Sequence, residues 1–459
     1  MKMKTPIVDF IEEYKRKKPL RLHTPGHKGS AFCGFEADDI TETDGADELF
    51  SPHGIIACSE KNASRLFGCP TYYSAEGSSL CVRAMVFMLT ERLGRPAKIL
   101  AGRNAHRSFI TAAAMTDARV SWIAPHPGDG YVSVSVTAED IENAAELPDA
   151  VYITTPDYLG KMTDIRPISA VCRRLGIYLL VDSAHGAYLH FLKEPADPIT
   201  QGADVCCTSA HKTLPALTGA AYLHTSVFTE EEVRTALSAF ASTSPSYLIL
   251  ESLDRLNAYL QSCTRALSRF ITHADAAKKA LAAQGWRLYG DEPLKITLFP
   301  GSRGYTGDSV ASYLTGLGIY PEFHDAEAIT FMITPQTGAR GLSRLVKALG
   351  ALPAREPVES KRPEPYIPER VLGIREAFFS QKETLPTREC EGRICCDANI
   401  GCPPAVSPVV CGELIDAKCV RILLACGIER CTVVRPRPGL SSSAESQAAS
   451  DPSYTLKGI

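Results

Sequence analysis

No apolar run in the chain reaches the roughly 18 residues that a membrane span needs, so no membrane role is expected. Charge of neither sign is in excess. Lys and Arg number 49 against 52 Asp and Glu, a net −3, which removes the electrostatic case for nucleic acid or an anionic membrane surface. Residues 1–18 are charged and lack the apolar centre of a secretory signal, so a cytoplasmic location is expected. No internal repeat is present. Cysteine is plentiful at 16 residues, yet its spacing argues against a metal site. Eight fall at Cys390, Cys395, Cys396, Cys402, Cys411, Cys419, Cys426 and Cys431, with no C-x-x-C pair among them. Zinc and iron–sulfur ligands normally come close together on a turn, so no metal is expected. A secreted disulfide framework would be short and would follow a signal peptide. The cysteines therefore read as reduced, small core residues.

What is there is a large globular chain. With 459 residues it is long enough for two or three domains, and 45% hydrophobic with 22% charged residues is ordinary for such proteins. Helical spacing of Ile7, Phe10, Ile11 and Tyr14 predicts a helix over 1–20, and a second helical pattern runs from Ser59 to Phe67. The chain then alternates. Strands are expected at 71–74, 97–101, 119–123, 150–154, 177–182 and 204–208, with helices at 79–93, 107–116 and 167–175. Short continuous apolar strands separated by helices imply an α/β fold with a mostly parallel sheet covered on both faces. A long amphipathic helix is expected over 247–270, followed by a smaller α/β region with strands at 294–299 and 328–334.

In such sheets ligands sit at the carboxyl ends of the strands, and there the sequence collects its polar residues. The strand Ile177–Val181 ends in Asp182, and the next ends in Thr208-Ser209-Ala210-His211-Lys212. A lysine in this setting can form a Schiff base with pyridoxal phosphate, provided its pKa falls below that of free lysine. A buried aspartate opposite the ring nitrogen would keep the pyridinium protonated, and the ring then serves as an electron sink. An isolated lysine is ordinarily a solvated surface group, and an isolated aspartate a cap. Here Lys212 follows an apolar strand and precedes Thr213-Leu214-Pro215, which no surface helix would favour. Ala184 is small enough to lie against the ring, and His185 can approach it or simply pack. Glu76-Gly77-Ser78-Ser79 precedes a helix and can offer hydroxyls, backbone N–H groups and a positive helix end to a phosphate, although an ordinary N-cap would look the same. His106, at another strand end, can stack on the ring. His211 is placed to contact phosphate or to donate a proton near Cα.

These segments resemble the Orn/Lys/Arg decarboxylase family, of aspartate-aminotransferase fold (fold type I). Ser209-Ala210-His211-Lys212 looks like its cofactor-attachment signature, and His23-Thr24-Pro25-Gly26-His27-Lys28-Gly29 like its N-terminal one. Arg103-Asn104-Ala105-His106-Arg107-Ser108, Thr154-Thr155-Pro156-Asp157-Tyr158-Leu159-Gly160 and Val181-Asp182-Ser183-Ala184-His185-Gly186-Ala187 resemble three further family segments. Each is weak alone; in this order, up to about residue 431, the set is specific. The resemblance implies Lys212 as Schiff-base lysine, Asp182 as partner of the ring nitrogen and His106 stacked on the ring. It implies Ser78, Ser79, Ser209 and His211 around the phosphate. It also implies that the turn at Ser242-Thr243-Ser244-Pro245 approaches a neighbouring subunit's phosphate, in a homodimer or higher homo-oligomer. Where the family has Y-P-P-G-I-P and then P-G-E, this chain has Cys402-Pro403-Pro404-Ala405-Val406-Ser407-Pro408 and Cys411-Gly412-Glu413. Glu413 is the carboxylate expected to meet a distal substrate cation. The long bacterial members' N-terminal wing domain has no counterpart.

The expected organisation is an N-terminal arm (1–58), a cofactor-binding large domain (59–246), a small α/β domain (247–352), a linker (353–368), a C-terminal module (369–436) and a disordered tail (437–459). The expected activity is pyridoxal-phosphate-dependent α-decarboxylation of arginine, lysine or ornithine. Two rivals stand beside it. One is an aminotransferase or other lyase on the same fold, for which Arg340 is a candidate carboxylate clamp. The other is a non-catalytic relative with the cysteine-rich module as an interaction element.

Overall fold

The computed structural model describes residues 3–131, 133–358, 364–398 and 406–436. The expected tail, from residue 437, and the segment Cys402–Ala405 lie outside the described residues. The large domain is built on seven strands: β1 (Thr71–Ser74), β2 (Lys98–Ala101), β3 (Arg119–Trp122), β4 (Ala150–Thr154), β5 (Tyr178–Asp182), β6 (Val205–Thr208) and β7 (Ala221–Thr225). Their order across the sheet is β1-β7-β6-β5-β4-β2-β3. All pairs are parallel except those made by β7, which runs against both β1 and β6. The sequence pattern gave no sign of β7, whose Ala221–Thr225 follows the lysine segment with only a short loop between.

Both faces of this sheet are covered, which is why its strands are apolar throughout. On one side lie α3 (Gly77–Leu93) and α4 (Arg107–Thr116), with Leu80, Met85, Leu89, Phe109 and Ile110 in the same buried cluster as Tyr152 and Leu180. On the other lies the helix Ile165–Leu175, whose Ile165, Ile168 and Cys172 meet Val151, Leu179 and Val181. Register then fixes the rim. Ser74 faces Ala221, Tyr222 faces Thr208, Cys207 faces Asp182, and Asp182 faces Thr154. The carboxyl ends of β1, β6, β5 and β4 therefore come out at one level.

The N-terminal helix α1 (Pro6–Lys17) is shorter than the expected 1–20, and α2 (Ile55–Phe67) starts four residues before Ser59. The expected single helix over 247–270 is two helices, Tyr247–Leu260 and Cys263–Ala283, broken at Gln261 and Ser262. The small domain adds an antiparallel sheet of β8 (Arg287–Tyr289), β9 (Lys295–Phe299), β10 (Phe323–His324) and β11 (Ile329–Met332), in the order β10-β11-β9-β8. It is fastened to the loop after β4. Lys295 Nζ donates to the Asp157 carbonyl at 2.7 Å, Thr297 Oγ1 to the Leu159 carbonyl at 2.7 Å, and the N–H groups of Asp291 and Glu292 to the Gly160 carbonyl at 2.9 Å. Lys295 also pairs with Glu292 at 2.9 Å, both side chains being buried. The C-terminal module pairs Lys382–Pro386 with Arg430–Val434, and Arg393–Ile394 with Leu414–Ile415. Cys390, Cys395, Cys419 and Cys431 form its core together with Val409, Ile415, Leu423 and Val433.

A buried aspartate ties the N-terminus to this frame. Asp254, 0% exposed, accepts the N–H groups of Ile7 at 2.9 Å and Val8 at 3.1 Å and the Ser59 hydroxyl at 2.6 Å. Burial raises its pKa to about 6 despite these donors. The folded state thus holds this proton more tightly than the unfolded chain, where an aspartate titrates near ~3.9. Its contribution is complete below pH ~4 and is lost as pH rises towards 6, by ~3 kcal/mol for two pKa units. Asp254→Asn should abolish that part of the pH dependence. Thermal unfolding of both proteins from pH 4 to 7 should show the variant gaining stability relative to the parent as pH rises; parallel curves would contradict the assignment.

Candidate active site

On the rim lies a cavity of about 460 Å³. Its lining includes Ser78, Ser79, His106, Asp182, Ala184, His185, Ser209, His211 and Lys212. Nine of the sequence-expected site residues are thus brought together, and two, Thr243 and Glu413, are not.

One end of the cavity suits an anion. The helix α3 starts at Gly77 and carries no side-chain cap. The Gly77 N–H is taken by the Gly219 carbonyl at 2.7 Å, while Ser78 and Ser79 present the first turn to the cavity. Ser209 Oγ donates to Ser78 Oγ at 2.8 Å, so hydroxyls from β6 and α3 converge. A helix N-terminus carries about half a positive charge, which three serines and free N–H groups direct at one point. Gly219 is what lets the chain pass behind this loop: its φ is +99°, and a Cβ there would stand 2.9 Å from the Ala75 carbonyl oxygen. His211 Nδ1 donates to the Ala220 carbonyl at 3.0 Å, which fixes the proton on Nδ1 of the neutral ring and leaves Nε2 as the nitrogen open to the cavity.

The other end holds a carboxylate. Asp182 closes β5, is 3% exposed, and accepts from the Tyr152 hydroxyl at 3.2 Å, the Ala184 N–H at 3.0 Å and the Cys207 thiol at 3.6 Å. Three donors fix the position of this buried carboxyl at the end of β5. Tyr152 and Cys207 carried no signal in the sequence beyond being apolar strand positions, since only the sheet register brings them to Asp182.

Between the two ends is Lys212. Burial lowers its pKa, against the opposing pull of Asp182, so its amine is more readily neutral. Nζ lies 2.9 Å from His185 Nε2. Burial also holds the His185 pKa well below the ordinary range, and its Nδ1 is buried without a partner among the described residues. Tyr158 packs edge-on against the His185 ring at 5.4 Å. His106 caps α4, with Nδ1 accepting the Ser108 N–H at 3.2 Å, and its ring faces the cavity. Burial lowers its pKa more than Asp182 raises it.

Glu413 departs from expectation. It is 0% exposed and does not line the cavity. Its two oxygens accept from Arg103 Nη1 at 2.5 Å and Nη2 at 2.6 Å, and one of them also takes the Val410 N–H at 2.8 Å. Arg103 further donates to the Ser407 and Pro408 carbonyls and lies over the Trp122 ring at 5.0 Å. The expectation of a carboxylate free for a substrate cation is corrected: this one is already neutralised. The pair joins the loop after β2 to the C-terminal module, whose Ala398, Ser407 and Val410 line the cavity together with Ile110 and Trp122. Thr243 is exposed and does not line the cavity of its own chain; the adjacent Ser242 N–H donates to Glu76 at 2.7 Å. Arg340, the candidate clamp, is exposed at the start of the helix Gly338–Gly350 and is not in the lining either.

A family model for the major domain of Orn/Lys/Arg decarboxylases matches residues 5–300. An arginine decarboxylase of Bacillus subtilis is 29% identical over 449 residues, covering 90% of this chain and 91% of that protein. Among solved structures, the constitutive lysine decarboxylase of E. coli superposes with a TM-score of 0.74 at 20% identity, covering 94% of this chain and 82% of that one. The lysine decarboxylase LdcF of Francisella novicida gives 0.76 at 17% identity, covering 94% and 81%. The fold is that of fold type I enzymes, as the sequence led us to expect.

Because Arg103 and Glu413 are both buried, removing one partner strands the other. Glu413→Ala should lower stability by ~3–5 kcal/mol, and the Arg103→Met, Glu413→Leu double variant by much less. Urea unfolding of the three proteins measures this; equal losses in single and double variants would mean the pair is not the fastening.

Proposed function

The chain belongs to the Orn/Lys/Arg decarboxylase family, and from that membership we propose that it is a pyridoxal-phosphate-dependent carboxy-lyase acting on a basic L-amino acid. The observation that carries this is the placement of Lys212: a buried amine biased towards neutrality, between a triply hydrogen-bonded carboxylate and an uncapped helix end. The residues fit the cofactor. A cavity of about 460 Å³ has room for ring, phosphate and substrate. Pyridoxal phosphate, when bound, supplies an electron-withdrawing ring that accepts the electron pair left as a bond to Cα breaks.

Each residue then has a role. Ser78, Ser79 and Ser209 hold the phosphate at the start of α3, with His211 beside them. Asp182 keeps a proton on the ring nitrogen, Ala184 leaves space for the ring, and His106 covers its face. Lys212 is the buried amine that would hold the cofactor covalently and give way to the substrate's amine. Lys212, once protonated, would be the group able to return a proton to Cα after carbon dioxide leaves, and His211 Nε2, which carries no proton in that tautomer, would act as an acceptor beside it. Trp122, Ile110 and the C-terminal module exclude water from that step. No arginine of the small domain lines the cavity among the described residues. The arginines that do line it, Arg103 and Arg107, come from the loop after β2 and the start of α4.

The product would be agmatine, cadaverine or putrescine, a precursor for polyamines. A homodimer, or a larger homo-oligomer, completes the proposal. Leu20, Leu22 and Phe32 of the N-terminal arm are 84%, 83% and 91% exposed, an apolar surface suited to a second copy. Thr243, turned away from its own cavity, would then reach a neighbour's phosphate. A cytoplasmic location fits the free thiols of all described cysteines, and among the described residues no helix is long and apolar enough to cross a membrane.

Incubation of the purified protein with arginine, lysine and ornithine separately should release carbon dioxide and one preferred amine. Lys212→Ala should abolish both turnover and the long-wavelength absorbance of the bound cofactor. A keto acid in place of carbon dioxide, or turnover surviving in the variant, would refute the proposal.

A further inference from the structure

If the substrate is a basic amino acid, its distal cation needs a counter-charge inside or at the mouth of the cavity, and the described carboxylates can be weighed one by one. Asp182 sits at the ring-nitrogen end and already accepts three hydrogen bonds. Asp157 lines the cavity, but its Oδ1 accepts the N–H groups of Leu159, Gly160 and Lys161 at 3.0, 2.7 and 2.8 Å, and its Oδ2 takes the Ser133 hydroxyl. Glu413 is locked to Arg103 behind the wall. Glu322 is different. It precedes β10 on the small domain, outside the cavity lining but bonded to a residue in it; its side chain is exposed, and its carboxylate's one hydrogen bond to a described residue is a long one, from the Tyr158 hydroxyl at 3.4 Å. Tyr158 itself lines the cavity, packed between His185 at 5.4 Å and Phe323 at 5.3 Å. Glu322 is close enough to Lys212 for its charge to favour the protonated amine there.

We propose that Glu322 is the specificity residue that receives the distal ammonium or guanidinium of the substrate, with Tyr158 holding its carboxylate at the edge of the cavity. This rests on the decarboxylase reading above. A charge-assisted hydrogen bond formed at this position selects a cationic side chain over a neutral one of the same shape. The small domain then contributes to the site through a carboxylate that recognises the side chain, where the aminotransferase alternative would require an arginine that recognises the α-carboxylate.

The test compares each basic amino acid with an uncharged counterpart of the same length: citrulline for arginine, 2-aminoheptanoate for lysine, norleucine for ornithine. In Glu322→Gln, the preference for the cationic member, as a ratio of kcat/KM values, should fall about 10- to 100-fold. The loss should lie mainly in KM. Glu322→Asp should recover part of the preference. Thermal stability and cofactor absorbance should match the parent protein, because the side chain is exposed and does not touch the proposed cofactor residues. A parent protein that releases amine from a basic substrate, with Glu322→Gln keeping its preference, overturns this inference alone and points to a carboxylate of a neighbouring subunit. A parent protein that decarboxylates none of the three substrates overturns the functional reading on which it rests.

Discussion

A sheet buried on both faces can present polar chemistry only where its strands end, and everything else in this molecule is arranged around that restriction. The strands β4, β5 and β6 are apolar because helices cover them on each side. Their first free positions, Thr155, Ser183 and Ser209, are therefore where the chain can turn polar. The antiparallel β7 matters here as much as the parallel strands. By running back between β1 and β6 it brings the loop after β1, with its serines, level with the lysine after β6. An anion site and a nucleophile from segments more than a hundred residues apart become neighbours through register alone.

Within that rim, burial sets one of the two groups the chemistry needs and hydrogen bonds position the other. It pushes the Lys212 amine towards neutrality, which a nucleophile requires. Three hydrogen bonds hold the Asp182 carboxyl in one orientation at the end of β5. The buried pair of Arg103 and Glu413 solves a different problem. It gains little stability over an apolar contact, but its planar, two-point geometry admits one docking of the C-terminal module against the loop after β2.

The fold and the cofactor end were legible in the sequence because both are written in local order. Apolar strands alternate with helices, and Asp182, Ser209, His211 and Lys212 each follow a strand directly. What was not legible depends on distant pairing. β7 is separated from β6 by no helix longer than the single turn Ala210–Thr213, Tyr152 and Cys207 look like core residues until the register sets them beside Asp182, and nothing in Tyr320-Pro321-Glu322-Phe323 announces a place near Lys212. Glu413 misled for the same reason. Its type and motif were right for a substrate contact, and only the three-dimensional course of the chain reveals that Arg103 has claimed it. The break at Gln261–Ser262 was hidden because the apolar spacing continues across it into the second helix.

The bonds that fasten β9 to the loop after β4 bear on how substrate enters and leaves. Many two-domain enzymes admit ligands by swinging one domain on a hinge. Here a swing of the small domain would pull the buried Lys295 side chain from the Asp157 carbonyl and Thr297 from the Leu159 carbonyl, and strip Gly160 of two N–H donors. Several buried backbone carbonyls and N–H groups would be left without partners. The doorway therefore has a fixed frame on that side. Traffic must be governed by motions of smaller parts, such as side chains at the mouth and the segment of the C-terminal module that forms the facing wall, so that changes there alter the timing of product release without disturbing the chemistry at Lys212.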